Sequence, residues 1–228
     1  MTKSKKETQD TNAEALENAL TRTEQYIENN QKSLTIIVLA IILIVGAFLG
    51  YKRLYVAPME KDAQSQIFAA EQYFEKDSFN LALHGDGNYL GFIDIIDTYS
   101  STKVGNLAHY YAGISYRGLG EYEEAIEHLK QFSTSDKMIG SMAYGALGDC
   151  YVQLNNLDEG AKHYDRAAKY GENDFSTPMY LMKAGLVYEE LEKYADALNV
   201  YESIKNDYSD SPEAREIDKY ITRVKLML

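Results

Sequence analysis

The residues able to do chemistry are few, and their spacing does not assemble a catalytic centre. The histidines are His84, His109, His128 and His163, and Cys150 is the only cysteine. One cysteine makes no intrachain disulfide, no CxxC redox pair and no zinc site built from several thiolates. Cys150 sits beside Tyr151 in an apolar helical stretch, so a buried, inert thiol is expected rather than a nucleophile. The glycine-rich run HGDG places His84 near Asp86. One imidazole and one carboxylate are too few for a metal, no calcium-loop spacing follows, and the composition reads as a turn. His128 and His163 fall in equivalent units of a repeat, one register apart, and are read as marking repetition rather than a site. Paired carboxylates such as Glu189 and Glu190 read as a solvated helix face. No GxSxG, HExxH, phosphate loop or dinucleotide fingerprint occurs. No catalytic residue, cofactor or metal is therefore expected, and the chain reads as a non-enzyme.

The elements that carry these residues are helical. Three prolines in 228 residues, with 45% hydrophobic and 25% charged residues, fit an ordinary folded, helix-rich chain. Charge is distributed unevenly. Residues 1–56 hold seven Lys/Arg against six Asp/Glu, whereas residues 57–228 hold 16 against 29, a net −13. Such a surface repels phosphate backbones and anionic headgroups, so nucleic acid is not an expected partner.

Residues 1–10 read as a disordered polar tail, and residues 12–32 show amphipathic helical spacing. Together, 1–33 form an N-terminal tail and juxtamembrane helix. Residues 34–51 are eighteen residues without a charge, LTIIVLAIILIVGAFLGY. At 1.5 Å per residue they cover roughly 27 Å, the thickness of a bilayer's hydrocarbon. Lys32 flanks one end, and Tyr51, Lys52, Arg53 and Tyr55 flank the other, as interfacial anchors. A cleaved signal peptide is not expected, because the apolar run starts late and no A-x-A site follows. Basic residues near the span leave its orientation undecided, with Arg22 and Lys32 on one side and Lys52, Arg53 and Lys61 on the other. Residues 52–59 read as a linker.

From residue 60 to 228 the chain repeats. Gly113, Gly148 and Gly185 share one register, followed by Tyr116/Tyr151/Tyr188, Tyr122/Leu157/Tyr194, Ala125/Gly160/Ala197 and Leu129/Tyr164/Tyr201. The spacing is near the 34 residues of a tetratricopeptide repeat. Small residues let paired helices approach, and the bulky positions are expected to fill the gap between one hairpin and the next. The units are 104–138, 139–174 and 176–210. A worn unit, 60–103, precedes them, with Ala70 and Tyr73 in register and an insertion at 77–88. Ser176-Thr177-Pro178 and Asp210-Ser211-Pro212 are expected helix starts, and 212–228 is the expected capping helix. The predicted architecture is all-α: a single transmembrane helix followed by an α-solenoid of tetratricopeptide-type hairpins.

What remains for function is surface. First helices of stacked hairpins line a groove, which here offers Tyr110, Ile114, Arg117, Asp149, Val152, Met179, Met182, Leu186 and Glu189. Met and Tyr suit recognition of extended or helical peptides, although several of these residues read equally well as inter-repeat core.

The repeat positions resemble the tetratricopeptide family over roughly residues 60–210. The layout of a short tail ending in ENNQK, one span, a brief linker and worn repeats resembles the YfgM-type inner-membrane proteins of Gram-negative bacteria. That resemblance implies an ancillary subunit of the Sec translocon. Its implied partners are SecY-type subunits, a PpiD-like chaperone and exported clients, with the repeats in the periplasm. Two other settings stay open: an envelope-assembly or cell-division scaffold, and a cytosol-facing tethered adaptor.

Overall fold

The computed structural model describes residues 28–228. The expected polar tail and nearly all of the 12–32 amphipathic stretch lie outside the described residues. The chain divides into two units, 1–56 and 57–228.

In the first unit, α1 (Gln31–Tyr51) is followed by a π-helical turn, Lys52–Val56. α1 buries none of its residues, and Ile36, Leu43, Ile44 and Phe48 stand fully outward. A helix with an apolar surface all round needs an apolar surrounding, and this one is long and apolar enough to cross a membrane. At its end Tyr51 stacks on Tyr55, with ring centroids 5.4 Å apart, and Lys52 and Arg53 follow in the same helical run. Residues 52–59, read as a linker above, are thus helical.

The second unit is a succession of helical hairpins. α2 (Ala57–Phe74) pairs with two short helices, α3 (Phe79–His84) and α4 (Phe92–Tyr99). Then come α5 (Lys103–Leu119) with α6 (Tyr122–Gln131), α7 (Lys137–Gln153) with α8 (Leu157–Tyr170), and α9 (Ser176–Glu190) with α10 (Tyr194–Asp207). A 3-10 turn, Glu213–Glu216, and α11 (Ile217–Lys225) close the end. α11 buries Ile217, Ile221 and Val224 against Tyr201 and Ile204 of α10.

The repeat has a steric cause. A Cβ added at Gly113 would lie 2.6 Å from the Leu129 side chain, at Gly148 2.5 Å from Tyr164, and at Gly185 2.3 Å from Tyr201. The bulky residue therefore fills the space left by the glycine of its own hairpin. It does not serve only the gap to the next hairpin, as expected from sequence. Seven residues after each glycine the turn requires a left-handed backbone: Gly120 (φ 82°), Asn155 (φ 57°) and Glu192 (φ 57°). Asp77 (φ 53°) stands seven after Ala70, so the worn unit keeps the same turn.

Helix starts use side-chain caps. Thr102 accepts from the Gly105 N–H at 2.9 Å, and Asp136 accepts from the N–H groups of Met138 and Ile139, both at 2.9 Å. Ahead of α9 the cap differs from expectation. The Asn173 carboxamide accepts from the Ser176 N–H (2.8 Å), while Thr177 Oγ1 accepts from the Asn173 N–H (3.0 Å). The expected start at Ser211 holds, with its hydroxyl accepting from the Ala214 N–H at 3.2 Å. The insertion contributes two residues to the core: Ala82 and Leu83 of α3 are fully buried. In the HGDG run, Asp86 closes a turn by accepting from the N–H groups of Asn88 and Tyr89, both at 2.9 Å, and from the Tyr73 hydroxyl at 2.8 Å.

Candidate protein-binding surface

Three successive first helices, α5, α7 and α9, are tied together by one carboxylate. Asp149 accepts from Arg117 of the preceding repeat (2.7 Å) and from Lys183 of the following repeat (2.7 Å). The Tyr164 hydroxyl of its own hairpin donates to it as well, at 2.7 Å. The Asp149 side chain is only 26% exposed, so these charge-assisted bonds are partly shielded from water. Burial and the adjacent Asp149 carboxylate push the Tyr164 phenol far up, so it remains a hydrogen-bond donor. Burial likewise pushes the neighbouring Tyr180 phenol up to about 12.

A second knot of the same kind follows. Glu189 accepts two bonds from Arg223 of α11, at 2.7 and 2.6 Å, and one from the Tyr201 hydroxyl at 2.6 Å. Burial raises the Glu189 carboxyl, but the bonds from Arg223 and Tyr201 outweigh it and hold the group below its ordinary value. Arg117 and Glu189 each stand four residues after the repeat glycine, so one position supplies opposite charges in different units.

The sequence-selected residues are distributed as follows. Arg117, Asp149 and Glu189 belong to these two networks. Tyr110 and Ile114 are half-buried against the core between the first and second repeats. Val152 and Met179 pack against the next core, and Met182 against the terminal one. Leu186 alone of the set is a large apolar side chain facing solvent, 44% exposed. Exposed Met138 and Met142, also on the first helix α7, were not singled out from sequence. Neither was Lys183, because its role depends on which helix lies beside it rather than on any local pattern.

The arrangement offers hydrogen bonding and apolar contact, not covalent chemistry. Cys150 is fully buried, and burial pushes its thiol up to about 11, so no thiolate forms near neutral pH. Among the described residues no group of three or more His, Cys, Asp or Glu side chains converges.

Residues 110–175 match the tetratricopeptide repeat family, and residues 180–211 match a second model of that repeat. Those two segments resemble tetratricopeptide repeats, and the fold is an α-solenoid of that type. The chain is also similar to a crystal structure of nearly identical TPR-like repeats from a Podosopora anserina protein described as a kinesin light chain. That likeness has a TM-score of 0.53 at 13% identity, and covers 72% of this chain and 85% of the other. At that identity it speaks for the fold alone. No curated protein matches the sequence. Tetratricopeptide repeats are protein-binding modules, and the worn unit before residue 104 lies outside both matched segments.

Proposed function

We propose that this chain is a non-enzymatic, membrane-anchored scaffold. In this reading it is an ancillary subunit of a Sec-type translocon that links SecY-type subunits to periplasmic chaperones and exported clients. The observation that carries the reading is the combination of tetratricopeptide hairpins with one uncharged, outward-facing apolar helix ahead of them. An anchored array keeps its binding face tethered to the bilayer, and a domain of net −13 favours protein over lipid or nucleic acid. The first-helix face, with Leu186, Met138 and Met142 exposed between charged residues, suits a segment of a partner protein. The periplasmic setting and the translocon partner rest on the resemblance of the overall layout. Lys52 and Arg53, just beyond the span, favour instead a tethered adaptor facing the cytosol.

Two measurements test this. The full chain, purified in mild detergent from a Gram-negative host, is expected to bring down SecY-type subunits and a PpiD-like chaperone. Recovery of outer-membrane assembly factors alone would sink the translocon reading. Protease added outside spheroplasts is expected to digest the repeats; protection until the inner membrane is opened would establish the cytosolic adaptor.

A further inference from the structure

His128 and His163 occupy the same register rather than neighbouring ones as read from the sequence, each three residues after the small residue Ala125 or Gly160. Each stacks on its repeat tyrosine. Tyr116 and His128 have centroids 5.4 Å apart at 14°, and Tyr151 and His163 5.2 Å apart at 11°. The residue opposite differs. In the first repeat His109 is placed so that its Nδ1 lies 3.1 Å from His128 Nδ1, and the two rings satisfy each other. In the second repeat that position is Tyr144, whose ring stacks on His163 and whose hydroxyl is taken by Arg166 at 3.0 Å. His163, 5% exposed, is left with a buried Nδ1 that has no partner. Native proteins seldom leave such an atom unpaired unless something else pairs with it.

His163 lines a cavity of about 420 Å³ between the end of α6 and helices α7 and α8. Three cations face it, Lys130, Lys162 and Arg166, against one carboxylate, Glu159. Lys162 is paired with Glu159 at 3.0 Å. Among the described residues Lys130 and Arg166 have no carboxylate partner. Lys130 Nζ lies 5.4 Å from the Tyr151 ring centre, and the Arg166 guanidinium 4.4 Å from that of Tyr144. The two cations thus end a run of ring contacts, Tyr144 to His163 to Tyr151. By helical spacing those tyrosines lie on the side of α7 away from Asp149, so this cavity is separate from the first-helix face.

We infer that the cavity binds an extended peptide segment carrying two acidic side chains around an apolar or aromatic residue. Two cations without a carboxylate partner, each at one end of an aromatic run, match that pattern. Glu159 lies 3.8 Å from His163 Nε2 and favours the tautomer with its proton there, leaving Nδ1 as an acceptor. A peptide N–H can donate to it, whereas a fully ionised phosphate or carboxylate cannot. The cavity's excess of cations, three against one carboxylate, contrasts with the domain's net −13 and favours an acidic partner there.

The test uses the full chain in detergent micelles and fluorescence anisotropy. The probes are end-capped hexapeptides in which two Asp or Glu flank each apolar or aromatic residue, alongside counterparts with Lys for the acids. At least one acidic peptide is expected to bind saturably while its Lys counterpart does not. Lys130→Glu with Arg166→Glu is expected to weaken binding about ten-fold or more. His163→Phe, which keeps the stack but removes Nδ1, is expected to weaken it several-fold, and Leu186→Asp to leave it unchanged. If the double reversal disturbs the melting curve, Lys130→Ala with Arg166→Ala takes its place. The inference is overturned if no acidic peptide exceeds its Lys counterpart, or if millimolar inorganic phosphate displaces the peptide, which would mark a free-anion site. Equal sensitivity to Leu186→Asp would place the binding on the other face. None of these outcomes bears on recovery of translocon subunits.

Discussion

At the scale of single residues, two side chains govern what the repeats tolerate. Asp149 receives Arg117, Lys183 and the Tyr164 hydroxyl. Replacing it with Ala strands two cations and a buried phenol, and breaking such a partly shielded knot costs about 2–3 kcal/mol. The expected outcome for Asp149→Ala is a melting midpoint lower by on the order of 5–10 °C, read by circular dichroism of the full chain in detergent. His163 acts through protons. Burial, reinforced by Arg166, Lys130 and Lys162 and opposed by Glu159, holds its imidazole down at about 4. Between about pH 6.5 and that value the unfolded chain takes up a proton that the folded chain refuses, so stability falls as pH drops through this window. The loss attributable to His163 is on the order of 2 kcal/mol. His109 and His128, also lowered chiefly by burial, add to the same slope. Melting curves of His163→Phe at pH 7 and pH 5 are expected to lie closer together than those of the parent; an unchanged gap would contradict this account.

At the scale of elements, each hairpin is a glycine seated under a bulky residue plus a turn with one left-handed residue. Gly120 adopts that conformation without steric cost and Asn155 at little, but Glu192 carries a Cβ into it. Glu192→Gly is therefore expected to stabilise the third hairpin by about 1 kcal/mol, seen as a higher melting midpoint, despite the general cost of glycine in the unfolded chain. Lys193, the neighbouring residue, pairs with Asp158 at 2.6 Å in an exposed bridge that this change leaves in place. Much of this scale was legible in the sequence, because sterics repeat wherever the same contact repeats. The glycine and small-residue registers reported contacts within one hairpin, whereas the tyrosine register also reaches the preceding one, as Tyr188 does to Asp165. The insertion at 77–88 was less legible: α3 buries Ala82 and Leu83 through contacts with helices distant in sequence, which no local spacing announces.

At the scale of the whole molecule, the second unit has no single core. Four clusters succeed one another along the stack, each shared between adjacent hairpins. Stability in such an array is a sum of neighbour terms, so its end must be closed. The closing element, α11, buries Ile217, Ile221 and Val224 and sends Arg223 to Glu189. Deleting residues 212–228 removes three buried apolar side chains worth on the order of 5 kcal/mol together, and bares Tyr201 and Ile204. The truncated chain is expected to elute as an aggregate on size-exclusion chromatography in the detergent that keeps the parent monodisperse. A monodisperse truncation with an unshifted melting curve would show that the cap is dispensable.

The sequence by itself determined the helical class, the apolar span and the repeat register. Each is a local or periodic property: hydrophobicity summed along one helix, or a small residue recurring beneath a large one. It also nominated Arg117, Asp149 and Glu189, as groove contacts or inter-repeat core alike and without naming their partners. Only the tertiary structure decided that Asp149 is shared by Arg117 and Lys183 and that Glu189 takes Arg223, since pairing over 30 or more positions depends on how successive hairpins are rotated. The same holds for His163. Its spacing marked it as a repeat position, while the exchange of His109 for Tyr144 opposite it left its Nδ1 unpaired beside a cavity lined by Lys130 and Arg166. Periodicity shows where side chains recur, and packing between hairpins decides which of them still have bonds to offer.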